Sequence, residues 1–367
     1  MSNAQHQTTS NAQHQTTSMK HVFAVLALLT VTAATLRAQD VHFSQYYASP
    51  LTLNPALTGA FDGRFRINGN YREQWRGVTE QPYKTFSTGL DLRFPLGTFG
   101  KSYADQAAVG LLFFSDKVPS FDFSTTKILI SGAYHKALDF RNTQYLSIGF
   151  QGGMVQRSVN YEDFTFNDQF NGTTGYTFGS AEVLPTNNFG YSDFNVGLNY
   201  SWNNPSTGAG IFVGGSMHHF LRPQLTFYQD VEDYEGSRQI IRYSLQISSF
   251  LPVNERLSFS PRVLANLQGP HLELNAGGNV RFTFGGYGTT AFHIGTYARP
   301  VRDVEGSLLL DAVVGMVGFE MDNVLFGISY DAGVTQTAAA RNGRGSFELS
   351  VAYLGAYQNE VVLCPKF

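Results

Sequence analysis

The charged side chains of this sequence that could do chemistry are few, and many of them alternate with apolar residues. Arg242, for example, lies between Ile241 and Tyr243. Since successive side chains of a strand point to opposite faces, such charges would share a polar face opposite an apolar one. There they could bind a charged tail of a partner or line an ion path, although charges inside a small barrel more often pair with one another. The candidates are Arg66, Arg72, Asp91, Arg93, Arg242, Arg262, Glu273, Arg281 and Glu348.

Motifs for catalysis and metal binding give no positive signal. The sequence contains neither G-x-S-x-G nor H-E-x-x-H. The adjacent His218 and His219 are predicted to point to opposite faces of a strand, so they should not share a metal. The acidic stretch Asp230–Glu235 lacks the spacing of an EF-hand calcium loop and is interpreted as solvated. Cys364 is the single cysteine, which excludes an internal disulfide and a cysteine zinc site. We expect no enzyme, no metal and no cofactor; a Ser and a His assembled from different strands remain the alternative.

The composition favours a sheet in contact with lipid. Charged residues make up 14% of the chain, against roughly 25% in soluble proteins. Aromatic residues also make up 14%, and there are 37 glycines. A net charge of -3 offers no basic surface for nucleic acid. A large secreted β-sandwich would have a similar composition, so the decision depends on the pattern along the chain.

Period-2 alternation from Arg64 onward predicts the strands. In Phe194–Trp202, apolar residues alternate with Asn195, Gly197, Asn199 and Ser201. The segments run about 10–15 residues, whereas strands of soluble sheets average about 5–6 and a tilted strand needs about 9–11 to cross a bilayer. We therefore predict an all-β protein, a transmembrane antiparallel β-barrel of about fourteen strands, rather than a soluble sandwich. The predicted strands are 64–76, 84–94, 106–115, 123–137, 144–156, 191–203, 207–220, 239–251, 256–267, 270–284, 288–298, 306–319, 323–334 and 345–356.

The connections and the first strand refine this topology. If both chain ends are periplasmic, the two longest connections, Arg157–Gly190 and Leu221–Arg238, face outward, and the even-numbered connections are short turns. Glu73 lies on the apolar parity of the first strand. This position predicts either that Glu73 sits above the membrane or that a β-bulge resets the phase.

A plug-like segment precedes the barrel. Residues Gln39–Gly63 contain two prolines and no strand-length alternation. Exposing their apolar side chains would cost roughly 25 cal/mol per Å², which favours packing inside the lumen. In the triplet Asn54-Pro55-Ala56, proline fixes φ and biases the residue before it towards extended geometry, so a rigid turn is predicted. Asn54, Pro55 and Gly59 are the candidate structural or partner-contact residues of this segment.

The chain ends complete the predicted organisation. The block NAQHQTTS occurs twice in residues 1–18, which are interpreted as a disordered leader or an artefact. A short basic region followed by an apolar run predicts a cleavable signal peptide. The predicted parts are the leader 1–18, the signal peptide 19–38, the plug-like segment 39–63, the outer-membrane barrel 64–356 and a periplasmic tail 357–367.

Three motifs carry a resemblance to a known family. They are HFSQYYASPLTLNPALTG at His42–Gly59, NYREQW at Asn70–Trp75, and GSFELSVAYL with VVLCPKF within Gly345–Phe367. With them, the chain from about Gln39 to its end resembles the PorP/SprF family of the type IX secretion and gliding-motility system of Bacteroidetes. Lys366 stands where many members have Arg, a departure that leaves the resemblance intact.

The resemblance implies a function that the alternation pattern does not. It implies an integral outer-membrane protein, embedded in lipid, that works with other secretion-system subunits. It also implies that such a protein helps export or anchor a large secreted surface adhesin by binding the adhesin's C-terminal domain. The aromatic-rich stretch Tyr161–Phe178 favours protein contact. Because the plugs of FadL-type channels also carry the Asn-Pro-Ala triplet, a FadL-like transporter of small apolar solutes is the main alternative, and a passive porin is a third.

Overall fold

The computed structural model describes residues 40–76, 81–96, 104–119, 122–162, 164–228, 237–284, 290–303, 306–334 and 345–355. The predicted leader, signal peptide and tail lie outside these residues, as do Cys364 and the acidic stretch Asp230–Glu235. The barrel and the segment before it belong to one compact unit, Val41–Phe367.

The alternating segments form fourteen strands, as predicted from their period. The boundaries differ most at β7, which was expected over 207–220. Its start is delayed because Gly208 has a left-handed φ of +70° and belongs to a turn. The strands are β1 Phe65–Gln74, β2 Tyr83–Pro95, β3 Gln106–Val118, β4 Phe123–Ala137, β5 Gln144–Val159, β6 Asn188–Asn203, β7 Gly210–His218, β8 Arg242–Pro252, β9 Leu257–Gln268, β10 His271–Phe284, β11 Thr290–Arg302, β12 Leu308–Met321, β13 Val324–Gly333 and β14 Gly345–Gly355.

Each strand pairs antiparallel with its sequence neighbours, and β1 pairs with β14 to close the barrel. The bulge considered for the first strand is wrong, since β1 runs without a register shift against β2 and β14 up to Glu73 and Gln74. A register shift does occur in β11 between Arg299 and Pro300. Proline cannot donate a ladder hydrogen bond, which explains why it is tolerated at such a bulge.

The two faces of the barrel differ in polarity. Ile130 is 66% exposed on the outer face, whereas its neighbour Leu129 is 3% exposed in the interior. The inner face carries mostly small polar and charged side chains, such as Ser131 and Gln151. This outside-apolar arrangement is the one that a lipid environment requires. No helix among the described residues is long and apolar enough to cross a membrane.

The connections are asymmetric in length. The two longest, 160–187 and 219–241, lie at one end of the barrel, hereafter the long-loop end. Turns 204–209, 253–256 and 322–323 lie at the other, short-turn end. Outer-membrane barrels carry their long loops outside the cell.

Residues 41–63, hereafter the N-terminal segment, lie inside the barrel. They form a 3-10 helix at Tyr46–Ala48, one α-helical turn, α1, at Pro50–Leu53, and a second 3-10 helix at Pro55–Leu57. Both chain ends were predicted to lie at the short-turn end, but they fall outside the described residues. Gly63 lies beside Gly355 at that end, but Ser44 and Gln45 bind Glu348, near the long-loop end of β14.

Candidate functional site

The N-terminal segment is shaped by its prolines and by Asn54. Pro50 and Pro55 each begin a short helix, where the missing N–H leaves no donor unpaired. Asn54, which precedes Pro55, is extended, with φ −156° and ψ 121°. Its side-chain oxygen accepts a hydrogen bond from the Ala56 N–H at 2.9 Å. The Asn-Pro-Ala triplet is therefore a capped turn.

This turn lies against a surface without side chains, formed by three glycines on adjacent strands. Gly149 of β5 pairs with Gly197 of β6, and Gly214 of β7 pairs with Asn199, two residues farther along β6. A Cβ on Gly149 would lie 2.3 Å from the Ala56 N, and one on Gly197 would lie 1.9 Å from the Asn54 Oδ1. Hereafter Gly149, Gly197 and Gly214 are the glycine seat. Because of them, the Asn54 amide reaches the carbonyl oxygens of Leu198 and Gly215, at 3.0 and 3.3 Å.

Apolar anchors flank the seat on both sides. Leu51 is fully buried between Leu112 of β3 and Leu129 of β4. On the opposite wall Tyr46, Leu53, Leu57 and Ala60 pack with Leu264 of β9. Burial of this surface stabilises the segment in the lumen by the hydrophobic effect.

At the short-turn end, Asp91 links the segment to the wall. Its carboxylate is fully buried, accepts the Gly59 N–H at 2.7 Å and forms two hydrogen bonds with the Arg66 guanidinium, at 3.0 and 2.7 Å. Gly59 has φ +75° and packs against Ala108, so a side chain there would be strained and would clash. Arg93 donates to the Phe61 carbonyl oxygen at 2.6 Å.

At the long-loop end, a buried charge cluster holds the start of the segment. Glu348 accepts the N–H groups of Ser44 and Gln45, at 2.7 and 2.9 Å, and also bonds the Arg72 guanidinium. Asp331 lies between Arg72 and Arg299, at 3.2 and 2.8 Å, and accepts the Ser44 hydroxyl at 2.6 Å. The cluster therefore alternates positive and negative side chains around the N–H groups of Ser44 and Gln45.

Asp331 and Arg299 were absent from the sequence-based candidates. A usable signal exists for Asp331, because it has the same parity as Ser329 and opposite parity to Ile328 and Tyr330. Arg299 likewise shares the parity of Tyr297. The glycine seat had no such signal, since its formation depends on the register between strands.

The remaining candidate charges contact other groups of the lumen. Arg242 donates to the Thr52 carbonyl oxygen at 3.3 Å, and the Arg262 guanidinium lies 4.4 Å from the centre of the Tyr47 ring. The Glu273 carboxylate lies 3.0 Å from His42 Nε2. Arg281 instead bonds Glu320, at 2.8 and 2.9 Å, near the short-turn end.

Contrary to the prediction, His218 and His219 do not both lie in a strand. β7 ends at His218, and His219 has a left-handed φ of +60°, so it no longer follows strand alternation. Both side chains are buried: His218 Nε2 lies 3.1 Å from the Leu53 carbonyl oxygen, and His219 Nδ1 lies 2.8 Å from Asp193. Across the described residues, no cluster of three or more His, Cys, Asp or Glu side chains could hold a metal.

Burial also sets the ionisation of the segment. Desolvation, together with Arg299 and Arg72 nearby, lowers the pKa of His42 to about 3, so its imidazole is neutral at physiological pH. Desolvation raises the pKa of Tyr46 and of Tyr47 well above the usual value. These three side chains are therefore uncharged at physiological pH.

The long loop 160–187 presents an exposed aromatic surface. Phe170 and Tyr176 form an isolated β-bridge, and the Asn171 side-chain oxygen accepts the N–H groups of Thr173 and Thr174 at 3.0 and 2.8 Å. Although the loop is ordered by these bonds, Phe170, Tyr176 and Phe178 remain 46%, 52% and 59% exposed. We call these three side chains the aromatic loop patch. An open pocket of about 320 Å³ lies at the same end of the barrel, partly lined by the Asn187 side of this loop.

The solved structures similar to this chain include distant barrels. The toluene transporter TbuX of Ralstonia pickettii shares 10% identity at a TM-score of 0.46, covering 85% of this chain and 94% of its own. A FadL homologue of Pseudomonas aeruginosa shares 12% identity at a TM-score of 0.42, covering 82% and 92%. No curated protein matches the sequence.

One family accounts for most of the sequence. The family described as type IX secretion system membrane protein PorP/SprF matches residues 35–353. This range contains the N-terminal segment, the glycine seat and nearly all of the barrel. The chain belongs to the PorP/SprF family and is an outer-membrane β-barrel protein of type IX secretion.

Proposed function

We propose that this barrel binds an exported surface protein at its long-loop end and helps to export or anchor it, without catalysing a reaction. The observation that carries the proposal is the aromatic loop patch. Aromatic side chains are enriched among the residues that dominate binding energy, and a pre-ordered loop loses little entropy on binding. A large adhesin, bound through its C-terminal domain, and other secretion subunits are the proposed partners.

Transport of small apolar solutes is the competing function. The N-terminal segment contacts strands all around the barrel, including β2, β7, β12 and β14. It therefore crosses the lumen, and a solute would need a route past it.

The test is co-purification from the native membrane. An affinity tag is placed in the connection between β13 and β14, residues 335–344, and the proteins that accompany the barrel are identified by mass spectrometry. We expect a large secreted protein, or secretion subunits, in stoichiometric amount. Recovery of the barrel alone, with bound lipid or fatty acid, would contradict the proposal and favour transport.

A pair of variants assigns the surface. Tyr176→Ser with Phe178→Ser removes most of the aromatic loop patch and should reduce recovery of the partner at least about tenfold, the effect of losing one strong interface anchor. Phe140→Ser is the matched control, because Phe140 is 70% exposed in the turn at the opposite end of the barrel. Equal recovery from both variants would exclude the patch as the binding surface.

A further inference from the structure

Many of the hydrogen bonds between the lumen wall and the N-terminal segment involve the main chain of the segment. Gln151 donates to the Leu51 carbonyl oxygen at 3.1 Å, and Ser216 to that of Leu53 at 2.8 Å. Wall side chains that contact main-chain groups of the segment are Arg66, Asp91, Arg93, His135, Gln151, Ser216, His218, Arg242 and Glu348. Main-chain donors and acceptors are common to every polypeptide, so these contacts do not depend on the sequence that occupies the lumen.

The same wall also has buried amides that the segment leaves without partners. Asn199 of β6, Gln246 of β8 and Asn275 of β10 are 1%, 3% and 1% exposed. They lie in one row, because Asn199 pairs with Gly214, Gly214 with Gln246, Gln246 with Leu264, and Leu264 with Asn275. Both polar atoms of Asn199 and Asn275, and the Gln246 Nε2, have no hydrogen-bond partner among the described residues.

An amide buried without a partner disfavours the state that buries it. Asn54 lies over Gly214 in the middle of this row, but its amide bonds the carbonyl oxygens of Leu198 and Gly215 and the Ala56 N–H instead of the amides of the row. Leu53 and Leu57 pack on Leu264 of the row, and their apolar side chains cannot bond the amides. An occupant with polar side chains at those positions would satisfy the row. At the row of Asn199, Gln246 and Asn275, a polypeptide with polar side chains would therefore satisfy the wall better than the N-terminal segment does.

We infer that the lumen wall is a polypeptide-binding track, that residues 41–63 are its resident occupant, and that a segment of the exported partner takes their place. This inference rests on the proposed function and adds the location and the chemistry of the binding site. The incoming segment bonds the wall through its main chain and presents polar side chains to Asn199, Gln246 and Asn275. Exchange begins near Ser44, at the long-loop end, where the start of the resident segment is held.

A disulfide that locks the resident segment tests this exchange. The hydroxyl oxygens of Ser49 in the segment and Ser87 in β2 lie 3.2 Å apart, so Ser49→Cys with Ser87→Cys places two thiols in bonding range. The matched control is Ser124→Cys with Ser158→Cys, whose hydroxyls lie 2.7 Å apart on the paired strands β4 and β5. Cys364→Ser is included in both proteins.

The readout is recovery of the exported protein identified in the co-purification, from oxidised and from reduced membranes. The oxidised lock should lower recovery at least about tenfold, because a covalently held competitor cannot leave. Reductant should restore recovery, and the control disulfide should change nothing. In the single variant Ser49→Cys, labelling of the introduced thiol by a maleimide should increase when the partner is bound.

Two failures are distinguishable. Unchanged recovery from the oxidised lock, or an introduced thiol at position 49 that stays protected in the bound complex, overturns the track inference and leaves the proposed function standing. If even the unlocked barrel captures no exported protein, the proposed function fails and this inference falls with it.

Discussion

Replacing Gly149 by alanine should loosen the N-terminal segment from the glycine seat. The added Cβ would lie 2.3 Å from the Ala56 N and from the Pro55 carbonyl carbon. Ordinary contacts begin at 3.4 Å, so the turn must retreat by about 1 Å, since β5 is held by pairing on both sides. The hydrogen bond from Asn54 to the Leu198 carbonyl oxygen, now 3.0 Å, would then break.

The magnitude follows from these two effects. Overpacking costs about 1–3 kcal/mol and the lost hydrogen bond about 1 kcal/mol. Together they favour the unseated segment by about 2–4 kcal/mol, which corresponds to about 30-fold to 1,000-fold in the equilibrium.

The assay is the rate at which a maleimide modifies a cysteine introduced at position 49, in a chain that also carries Cys364→Ser. Ser49 is fully buried, so the rate reports how often the segment opens. Gly315→Ala is the control, because no atom lies within 4 Å of a Cβ built there. We expect Gly149→Ala to accelerate labelling at least about 30-fold relative to Gly315→Ala. Equal rates in two folded barrels would refute the role of the glycine seat.

Three further predictions concern the charged groups. Arg66→Ala should reduce the free energy of unfolding, measured by thermal unfolding, by about 3–5 kcal/mol, because it leaves the buried Asp91 carboxylate without its cation. The double variant Arg66→Met with Asp91→Leu should lose less stability, and an equal loss would contradict the role of the unpaired carboxylate. Glu348→Gln should reduce the free energy of unfolding by about 2–4 kcal/mol, whereas Glu320→Gln, at a side chain 28% exposed, should reduce it by less than about 1 kcal/mol. If the long-loop cluster were unimportant, thermal unfolding would show the reverse order. Burial raises the pKa of Asp139 in the turn between β4 and β5, but the N–H of Gln144 and the hydroxyl and N–H of Thr143 outweigh it and hold that pKa below the usual 3.8. Asp139 stabilises the fold by at most about 1 kcal/mol. This stabilisation is complete above pH 3.8 and is lost as the pH falls through the lower pKa of the folded state. The difference in unfolding temperature between wild type and Asp139→Asn should therefore narrow below about pH 4.

The candidate site was predictable only in part. Parity alone assigned Asp91, Arg93 and Glu348 to the inner face, where they are buried. Parity does not say which charges meet, because pairing partners come from strands far apart in sequence, as with Arg72 and Glu348. His219 departed from the rule because one left-handed residue ended the alternation.

The sequence by itself determined the number of strands, their approximate bounds and which face of each is apolar. Those properties are local, since alternation within a strand follows from side chains that point to opposite faces. The tertiary structure decided the path of the N-terminal segment, from Gly63 at the short-turn end to the charge cluster near the long-loop end. It also decided that Gly149, Gly197 and Gly214 lie beneath the turn Asn54-Pro55-Ala56. These are consequences of strand register, which is fixed only when all fourteen strands close around the segment that they bury.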